Sequence, residues 1–376
     1  MLSELNFESK EKIERILERL ELEKTYPPLL TKMLETLEEN ARIFRRDFIK
    51  LRTQITKKLD DLEEYILAVE YNDTNKQFPI GAVDGSFFTS RVIGNTYIAL
   101  IGISQVLFSR GTSDIKMPEV NIGVFLERFR KPRSTHPEDF VSIKMLLLET
   151  KAIHSFSSLM NHGFLFIDGP IIDPPNYEDS SYIEYRVQSL LGLLEKGIIP
   201  IGFVKRIDSN QFSKRFMKLN DELHDQDILP IIFNSYYTRK NIPLDRALLT
   251  KPFQIGQDNP IWIEYEKSAE SLGKEISLWI TYAQLNYGLR PIRLEILIDQ
   301  QLNAEKALDL MESIVKICKM WLLPGLQYPL PIHLAHETCR IRKRVGQFVV
   351  SKIISRILAE QKDIDTIITL KELIEE

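Results

Sequence analysis

The chain has 376 residues and a mass of 43.8 kDa, with 49 Lys and Arg against 53 Asp and Glu, a formal net charge of −4. Hydrophobic residues make up 44% and charged residues 27%, which excludes wholesale disorder and a purely electrostatic, histone-like DNA binder. Its two cysteines, Cys318 and Cys339, are too few for a disulfide framework or a four-cysteine zinc site. Because the sequence also shows neither a signal-peptide pattern nor a run of about 18 apolar residues, we expect a cytoplasmic protein without a membrane span.

The N-terminal part predicts helix. Residues 9–70 are rich in Glu, Lys, Leu and Arg, and the strong helix breaker among them is Pro27-Pro28. From Met33 to Ile66, apolar residues recur at steps of three and four, which predicts one apolar stripe along a long helix. We assign residues 1–75 to an N-terminal helical segment. Its stripe either packs on the chain's own body or forms a dimer or partner contact.

Residues 76–376 predict a single α/β domain. Short apolar runs that end in turn residues predict strands at 78–88, 96–103, 120–126, 164–170, 198–204, 278–282 and 293–298. Helices are predicted at about 137–161, 181–196, 302–321 and 336–360. Short connections make the first three strands an antiparallel meander, whereas the later strand–helix–strand units require parallel pairing. The result is a mixed sheet flanked by helices, in the order of a ribonuclease H-like fold.

Three carboxylates lie where burial makes them costly. Asp84 falls at the predicted end of the first strand, Asp168 at the end of the fourth, and Glu149 on the helix between them, in a face with no other ionisable side chain. Two like charges about 4 Å apart repel by about 4 kcal/mol at an effective dielectric of 20. Converging acids therefore predict a divalent cation, Mg²⁺ or Mn²⁺, and the hydrolysis of phosphodiesters. Taken singly, an Asp-Gly pair is usually a turn, and Glu149 could simply meet an arginine.

A basic cluster follows near the C-terminus. A helix is predicted to begin near Ala335, which places His336, Arg340 and Lys343 on one face, with Arg344 beside them. Together with Arg342 this ridge suits a phosphate backbone, although a solvated basic helix end is an equal alternative.

Two other positions are weaker candidates for contacts with nucleic acid. The basic segment 128–133 contains Arg130 and could line a channel for a strand, with Phe129 stacking on a base. Lys205 directly follows the fifth predicted strand, and we interpret it as a surface lysine in preference to a phosphate contact.

These motifs together resemble the NurA family of nucleases. The residues that carry the resemblance are Ala82-Val83-Asp84-Gly85-Ser86, Glu149, Phe166-Ile167-Asp168-Gly169-Pro170, and Tyr328-Pro329-Leu330 leading to Ala335-His336. The resemblance implies a ribonuclease H-like fold, a homodimer and Mn²⁺-dependent cleavage of DNA, as a 5′-to-3′ exonuclease and a single-strand endonuclease. It also implies partnership with the hexameric ATPase HerA in DNA end resection and recombinational repair.

On this reading, Asp84, Glu149 and Asp168 bind two Mn²⁺ or Mg²⁺ ions. His336 is a further ligand, or holds the scissile phosphate, or protonates the leaving group. His333 competes for this role, but the Ala-His pair favours His336.

The resemblance also implies a tyrosine in the active site. Tyr282, on a predicted strand, and Tyr237 are both candidates, while Tyr328 is interpreted as a packing residue.

Two rival functions remain open. In an actin-like ATP-binding enzyme, Asp84-Gly85-Ser86 and Asp168-Gly169 would touch ATP phosphates, but Glu149 would then have no role. In a catalytically inactive adaptor, the long N-terminal helix would dock a DNA translocase. Metal affinity separates the adaptor from the nuclease, because an adaptor should bind Mn²⁺ weakly or not at all.

Overall fold

The computed structural model describes residues 27–70, 78–93, 95–115, 117–130, 136–172, 180–217, 224–256, 259–299 and 302–360. The chain divides into two compact units, Met1–Asp60 and Asp61–Glu376. The boundary that we predict at residue 75 stays a prediction, and the helix predicted over residues 9–26 lies outside the described residues.

Helix α1, Pro27–Leu62, is the long helix that the apolar stripe predicts. Along its first half the stripe is exposed, for example at Leu37 and Phe44, whereas Ile55 and Leu59 are buried. Among the described residues, the apolar side chains in the first half of this helix are therefore mostly exposed.

Within the described residues of the second unit, ten strands form one mixed sheet. The strands are β1 (Ile66–Ala68), β2 (Ile80–Ile93), β3 (Thr96–Phe108), β4 (Glu119–Arg130), β5 (Gly163–Asp168), β6 (Ile198–Val204), β7 (Leu248–Thr250), β8 (Phe253–Gln254), β9 (Ser277–Gln284) and β10 (Ile292–Ile298). Their order is β1-β7-β9-β10-β6-β5-β2-β3-β4, and β8 pairs with β9. Strands β2, β3 and β4 form the predicted antiparallel meander, and β2, β5 and β6 are parallel. This arrangement confirms the ribonuclease H-like fold.

The first strand of the domain corrects one prediction. Asp84 does not end it, because β2 continues through Gly85 and Ser86 and pairs with β3 from Ile80 to Ile93. Gly85 serves close packing here and not a turn, since a Cβ at this position would lie 2.9 Å from Cγ of Met145. Asp84 is therefore a mid-strand residue.

The helices of the second unit cover both faces of the sheet. They are α2 (Pro137–Leu159), α3 (Ser180–Glu195), α4 (Asp225–Lys240), α5 (Pro260–Ser271), α6 (Ala304–Met320), α7 (Leu330–Cys339) and α8 (Lys343–Glu360). Helix α2 packs on the face reached by Gly81 and Gly85, and α7 packs on the opposite face, where a Cβ at Gly102 would lie 2.5 Å from the carbonyl oxygen of Cys339.

The C-terminal region corrects a second prediction. The single helix expected over 336–360 is two helices, and the first begins at Leu330 and ends at Cys339. The break has a local cause, because the Ser86 hydroxyl donates a hydrogen bond to the Cys339 carbonyl and accepts one from the Ile341 amide. Arg340 consequently has an extended conformation.

A hydrophobic core lies between the sheet and helices α6 and α7. It contains Phe166 and Phe203 of neighbouring strands and Trp321 after α6, whose ring packs against Phe108 at a centroid distance of 4.5 Å. This core fixes α7 over the sheet, and α7 supplies one side chain of the candidate site.

Candidate active site

Two aspartates and one histidine converge on the face of the sheet that α7 covers. Ligand atoms of Asp84, Asp168 and His336 all lie within 4.8 Å of one another. The register explains the two acids: Val83 is paired with Ile167 across the parallel strands β2 and β5, so the next residues, Asp84 and Asp168, are neighbours. His336 reaches them from α7, and the predicted convergence of these three residues is present in the structure.

Helix α7 is fastened tightly enough to place the imidazole. Besides the contacts of Ser86 with the end of α7, the hydroxyls of Ser104 and Thr338 lie 2.6 Å apart. His336 Nδ1 is 2.8 Å from Asp84 Oδ2 and 3.5 Å from Asp168 Oδ2. The histidine side chain is 44% exposed, against 7% for Asp84 and 12% for Asp168. The acids are therefore enclosed, and the site opens to solvent on the histidine side.

The electrostatics of the site are those of two enclosed acids beside two cationic groups, His336 and Lys205. Burial raises the pKa of Asp84 from 3.8 to about 6, and the negative charge of Asp168 adds to this shift. Burial also acts to raise the pKa of Asp168, but hydrogen bonds from His336 and Lys205 outweigh it and lower that pKa. Hydrogen bonds to both acids raise the pKa of His336 to about 9. A divalent cation would relieve this repulsion.

Lys205 belongs to the site, which corrects its interpretation as a surface lysine. Its Nζ lies 2.5 Å from Asp168 Oδ2 and 5.1 Å from the centre of the Tyr328 ring. The cause is register: Phe203 is paired with Asp168 across β5 and β6, so Lys205, two residues on, points to the same face. The sequence signal was the position of this lysine directly after a strand that is parallel to β5.

Glu149 is not in the group that Asp84, Asp168 and His336 form. It is buried on α2, the helix that packs on the opposite face of the sheet, and its Oε1 lies 3.7 Å from NH1 of the buried Arg186. The structure thus shows the alternative in which this glutamate meets an arginine. Its role as a metal ligand stays a prediction.

The two tyrosine candidates have partners elsewhere. The Tyr282 hydroxyl donates to Asp225 Oδ2 at 3.0 Å, and the Tyr237 hydroxyl donates to the carbonyl of Arg246. Burial raises the pKa of both phenols. Tyr282 lies on β9, three strands away from β5 in the sheet, which corresponds to about 14 Å. The ring of Tyr328 contacts Lys205, which in turn pairs with Asp168.

The basic residues are exposed but do not form the predicted helical ridge. Because the helix breaks after Cys339, His336 and Arg340 do not share a helical face with Lys343. Arg340 pairs with Glu337 at 3.4 Å. The side chains that remain on the surface are Arg340, Arg342, Lys343 and Arg344.

The segment that includes Arg130 is placed at the end of β4. Arg130 is exposed, and residues 131–133 lie outside the described residues. Phe129 is buried and stacks between Tyr97 and Phe140, at centroid distances of 5.7 and 4.7 Å. It is therefore not available to stack on a base, which corrects that prediction.

The donor set of the site fits a divalent metal ion. Two carboxylates and an imidazole whose ligand atoms lie within 4.8 Å of one another are ligands that Mn²⁺ accepts, and Mg²⁺ accepts the carboxylates. The pKa of Asp84 is raised in part by the negative charge of Asp168, and a bound metal ion would compensate this charge.

Among the described helices, none combines the length and the apolarity that crossing a membrane requires.

The fold and the site together define a protein of the ribonuclease H-like class with a carboxylate-rich candidate metal centre. The chain belongs to the NurA domain family, whose domain matches residues 78–341, more than half of its length. This assignment supports a DNA nuclease. No curated protein sequence matches the chain.

A solved structure of a NurA nuclease shows the same fold. The NurA nuclease from Sulfolobus solfataricus is similar with a TM-score of 0.60 and 13% identity, over 90% of this chain and 99% of that one. Weaker similarity is found to endonuclease V from Ciona intestinalis in complex with DNA, with a TM-score of 0.34 and 15% identity over 76% and 94% of the two chains. The catalytic domain of human endonuclease V gives a TM-score of 0.35 and 13% identity, over 78% and 97%.

Proposed function

We propose that this protein is a metal-dependent deoxyribonuclease that hydrolyses phosphodiester bonds. The observation that carries the proposal is the group of Asp84, Asp168 and His336, within 4.8 Å on one face of the sheet in a chain of the NurA domain family. Enclosed like charges beside a half-exposed imidazole are costly for stability alone, and they suit a site that takes up a cation.

The metal would be Mn²⁺ or Mg²⁺, and the family supports two ions. Asp84 and Asp168 would hold them, with His336 as a third ligand or as the group that protonates the leaving oxygen. The family resemblance is the support for Glu149 as a further ligand, since this glutamate pairs with Arg186 on α2, on the opposite face of the sheet from Asp84. When bound, such ions lower the pKa of a water molecule and stabilise charge on the phosphate oxygens.

Lys205 and the exposed arginines would act on the DNA. A metal ion at Asp168 would compete with the Lys205 ion pair and free its ammonium group for a phosphate oxygen. The exposed Arg340, Arg342, Lys343, Arg344 and Arg130 would contact the backbone, which carries affinity without reading sequence.

Other properties of the proposal have the family as their support. They are 5′-to-3′ exonuclease and single-strand endonuclease activity, a homodimer, action in the cytoplasm, and cooperation with a HerA-type hexameric ATPase in DNA end resection and recombinational repair.

The test is cleavage of end-labelled single-stranded and double-stranded DNA with Mn²⁺, Mg²⁺ or EDTA. We expect cleavage with the metals, none with EDTA, and a loss of about 100-fold or more in Asp84→Asn and Asp168→Asn. The matched control is Asp309→Asn, because Asp309 is an exposed acid on α6 that touches no part of the site.

Two outcomes would contradict the proposal. Full activity of pure Asp84→Asn or Asp168→Asn would remove the acids from catalysis. Absence of cleavage by the wild type, both alone and with the ATPase, would favour the inactive adaptor. ATP binding by that inactive protein in the absence of DNA would instead favour the actin-like reading.

A further inference from the structure

Helix α8 packs on the same face of the sheet as the candidate active site. Asp84 and Phe88 are four residues apart on β2, so their side chains point to one face, about 13 Å from each other along the strand. A Cβ at Gly346 of α8 would lie only 2.4 Å from the Phe88 ring. The helix therefore lies directly on this ring, beside the region that α7 covers.

One aromatic residue of α8 has no part in this packing. The face toward the sheet contains Gly346, Val350 and Ile354, and the last two are buried in a small cluster with residues of β2 and β3. Phe348 lies two residues after Gly346, about 200° around the helix axis, so it points away from the sheet. It is 61% exposed, and the neighbouring Val345 is 55% exposed. The attachment of α8 to the sheet does not explain a phenylalanine at this position.

Positive charge surrounds this exposed ring. Arg344 and Lys352 lie four residues before and after Phe348, on the same side of the helix and about 6 Å away along its axis. Both side chains are exposed, and the Lys352 Nζ is 5.5 Å from the centre of the Phe348 ring. The sequence from 341 to 359 contains five Lys and Arg and no Asp or Glu, although the whole chain has a net charge of −4. This surface is therefore complementary to a polyanion.

We propose that Arg344, Phe348 and Lys352, the outer face of α8, bind single-stranded DNA. Phe348 would stack on an unpaired base, and the two cations would contact the phosphates on either side of it. Base stacking on an aromatic side chain tolerates any sequence, and it combines with a positive surface in proteins that bind single strands. The bases of a duplex stack on one another and offer no free face, so Phe348 would favour unpaired DNA.

The inference rests on the proposed function and adds to it a residue that selects the form of the substrate. The candidate active site opens to solvent on the side of His336, which belongs to α7, and α8 follows α7 in the chain. A strand held on the outer face of α8 would thus lie on the same side of the sheet as Asp84. The acids would act on the phosphodiester, and Phe348 would favour substrates with unpaired bases near it.

Binding without cleavage gives the first test. In EDTA, fluorescence anisotropy would compare labelled oligothymidylate of about 20 nucleotides with a strand of equal length that has no bases. Phe348→Ser should weaken binding of oligothymidylate about tenfold and leave binding of the base-free strand nearly unchanged, and Phe348→Tyr should restore the affinity. Leu244→Ser is the matched control, because Leu244 is 60% exposed and lies outside α8.

The two cations should give the opposite pattern. Arg344→Gln combined with Lys352→Gln should weaken binding of both strands equally, because phosphate contacts do not depend on the bases. The slope of log affinity against log salt concentration should also fall by about 1.4, since each phosphate contact on a single strand contributes about 0.7. An unchanged salt dependence would remove the two cations from the interface.

Two results would overturn the role of Phe348. One is unchanged binding of oligothymidylate by Phe348→Ser, and the other is an equal loss on the base-free strand. Sedimentation velocity of the same preparations tests a second copy of the chain as the occupant. A dimer that dissociates in Phe348→Ser, with DNA affinity unchanged, would assign the outer face of α8 to self-association and overturn the proposal.

The nuclease proposal is tested separately, because anisotropy in EDTA does not depend on cleavage. If the wild type cleaves DNA while Phe348→Ser binds oligothymidylate normally, only the inference about α8 fails. If the binding results are as expected but no metal supports cleavage, only the nuclease proposal fails.

Discussion

Two groups of buried acids lie in this molecule, and they are built in opposite ways. Asp225 is fully buried, and it accepts hydrogen bonds from the amides of Phe212 and Ser213, both at 2.9 Å, and from the Tyr282 hydroxyl. In the group of Asp84, Asp168 and His336, both carboxylates instead face the same imidazole nitrogen, and Lys205 adds a second cation at Asp168 alone. Asp225 thus has several hydrogen-bond donors of its own, whereas Asp84 and Asp168 compete for the imidazole of His336.

Glu295 on β10 resembles Asp225, because hydrogen-bond donors surround its carboxylate. Its carboxylate pairs with Arg293 at 2.8 Å and accepts the Ile171 amide at 2.7 Å. This contact holds the loop after Asp168, which crosses β6 so closely that a Cβ at Gly202 would lie 2.9 Å from the Ile171 nitrogen. We expect the well hydrogen-bonded acids Asp225 and Glu295 to stabilise the fold, and we expect the competing pair Asp84 and Asp168 to bind a cation and take part in catalysis.

The largest effect that this comparison predicts is a pH dependence of metal affinity. The pKa of His336 is raised to about 9 in the metal-free protein, so a metal ion that uses its nitrogen must displace a proton. Affinity should therefore rise with pH, about tenfold per unit from pH 6 to 9, and more steeply below the Asp84 pKa of about 6. The measurement is Mg²⁺ or anaerobic Mn²⁺ titration at several pH values. In His336→Gln the rise between pH 6 and 9 should shrink to the part that Asp84 contributes, because loss of the hydrogen bond from His336 raises the pKa of Asp84. A flat wild-type curve would remove His336 from the ligand set.

The second prediction contrasts the stability of the two groups. Asp225→Ala should lower the free energy of unfolding by about 3 kcal/mol, because it leaves two buried amides and a tyrosine hydroxyl without an acceptor. Asp84→Asn should change it by less than about 1 kcal/mol, since the loss of one hydrogen bond is offset by relief of repulsion. Urea denaturation of both variants beside the wild type measures this. Equal losses in the two variants would mean that both acids serve the scaffold.

The sequence predicted most of the strands that have a clear apolar run and most of the helices that have a clear apolar stripe. It missed α4, which carries Pro230 inside the helix and buries residues around much of its circumference, so no helical stripe stands out. It also placed a turn at Gly85-Ser86, although the pairing of β2 with β3 continues to Ile93. Local residue preferences cannot show that a glycine is needed for the close approach of α2.

The sequence could predict those residues of the candidate site whose placement follows from their position on a strand or in a motif. Asp84 and Asp168 were found because they lie on predicted strands, and His336 was found because the Ala335-His336 pair resembles the NurA family motif. Lys205 was misjudged because its partner is fixed by the register of β5 and β6, which is a tertiary property. The same holds for Phe129, whose two ring partners come from other elements.

The third prediction tests whether Glu149 binds a metal, as Asp84 and Asp168 are proposed to do, or stabilises the fold, as Asp225 does. If it becomes a ligand, Glu149→Gln should weaken Mn²⁺ binding by about tenfold or more, in addition to the loss of stability that follows from losing the ion pair with Arg186. Thermal unfolding and Mn²⁺ titration of the same preparation separate the two roles. Unchanged metal affinity with a clear loss of stability would assign Glu149, through its ion pair with Arg186, to the scaffold. The matched control is Glu312→Gln, which removes an acid of a partly exposed helical ion pair.

The smallest predicted effect concerns Lys205, which supplies positive charge to Asp168 in the metal-free protein. Lys205→Met should strengthen Mn²⁺ binding a few-fold, because a competing cation at about 2.5 Å from the ligand oxygen is removed. Cleavage under saturating metal should nevertheless fall, by about tenfold, if the freed ammonium group binds the scissile phosphate. Opposite signs in the two measurements would mark Lys205 as a group that acts on DNA. A parallel loss of both would show that it only holds Asp168 in place, and Lys274→Met, whose ion pair with Glu195 lies outside the site, is the control.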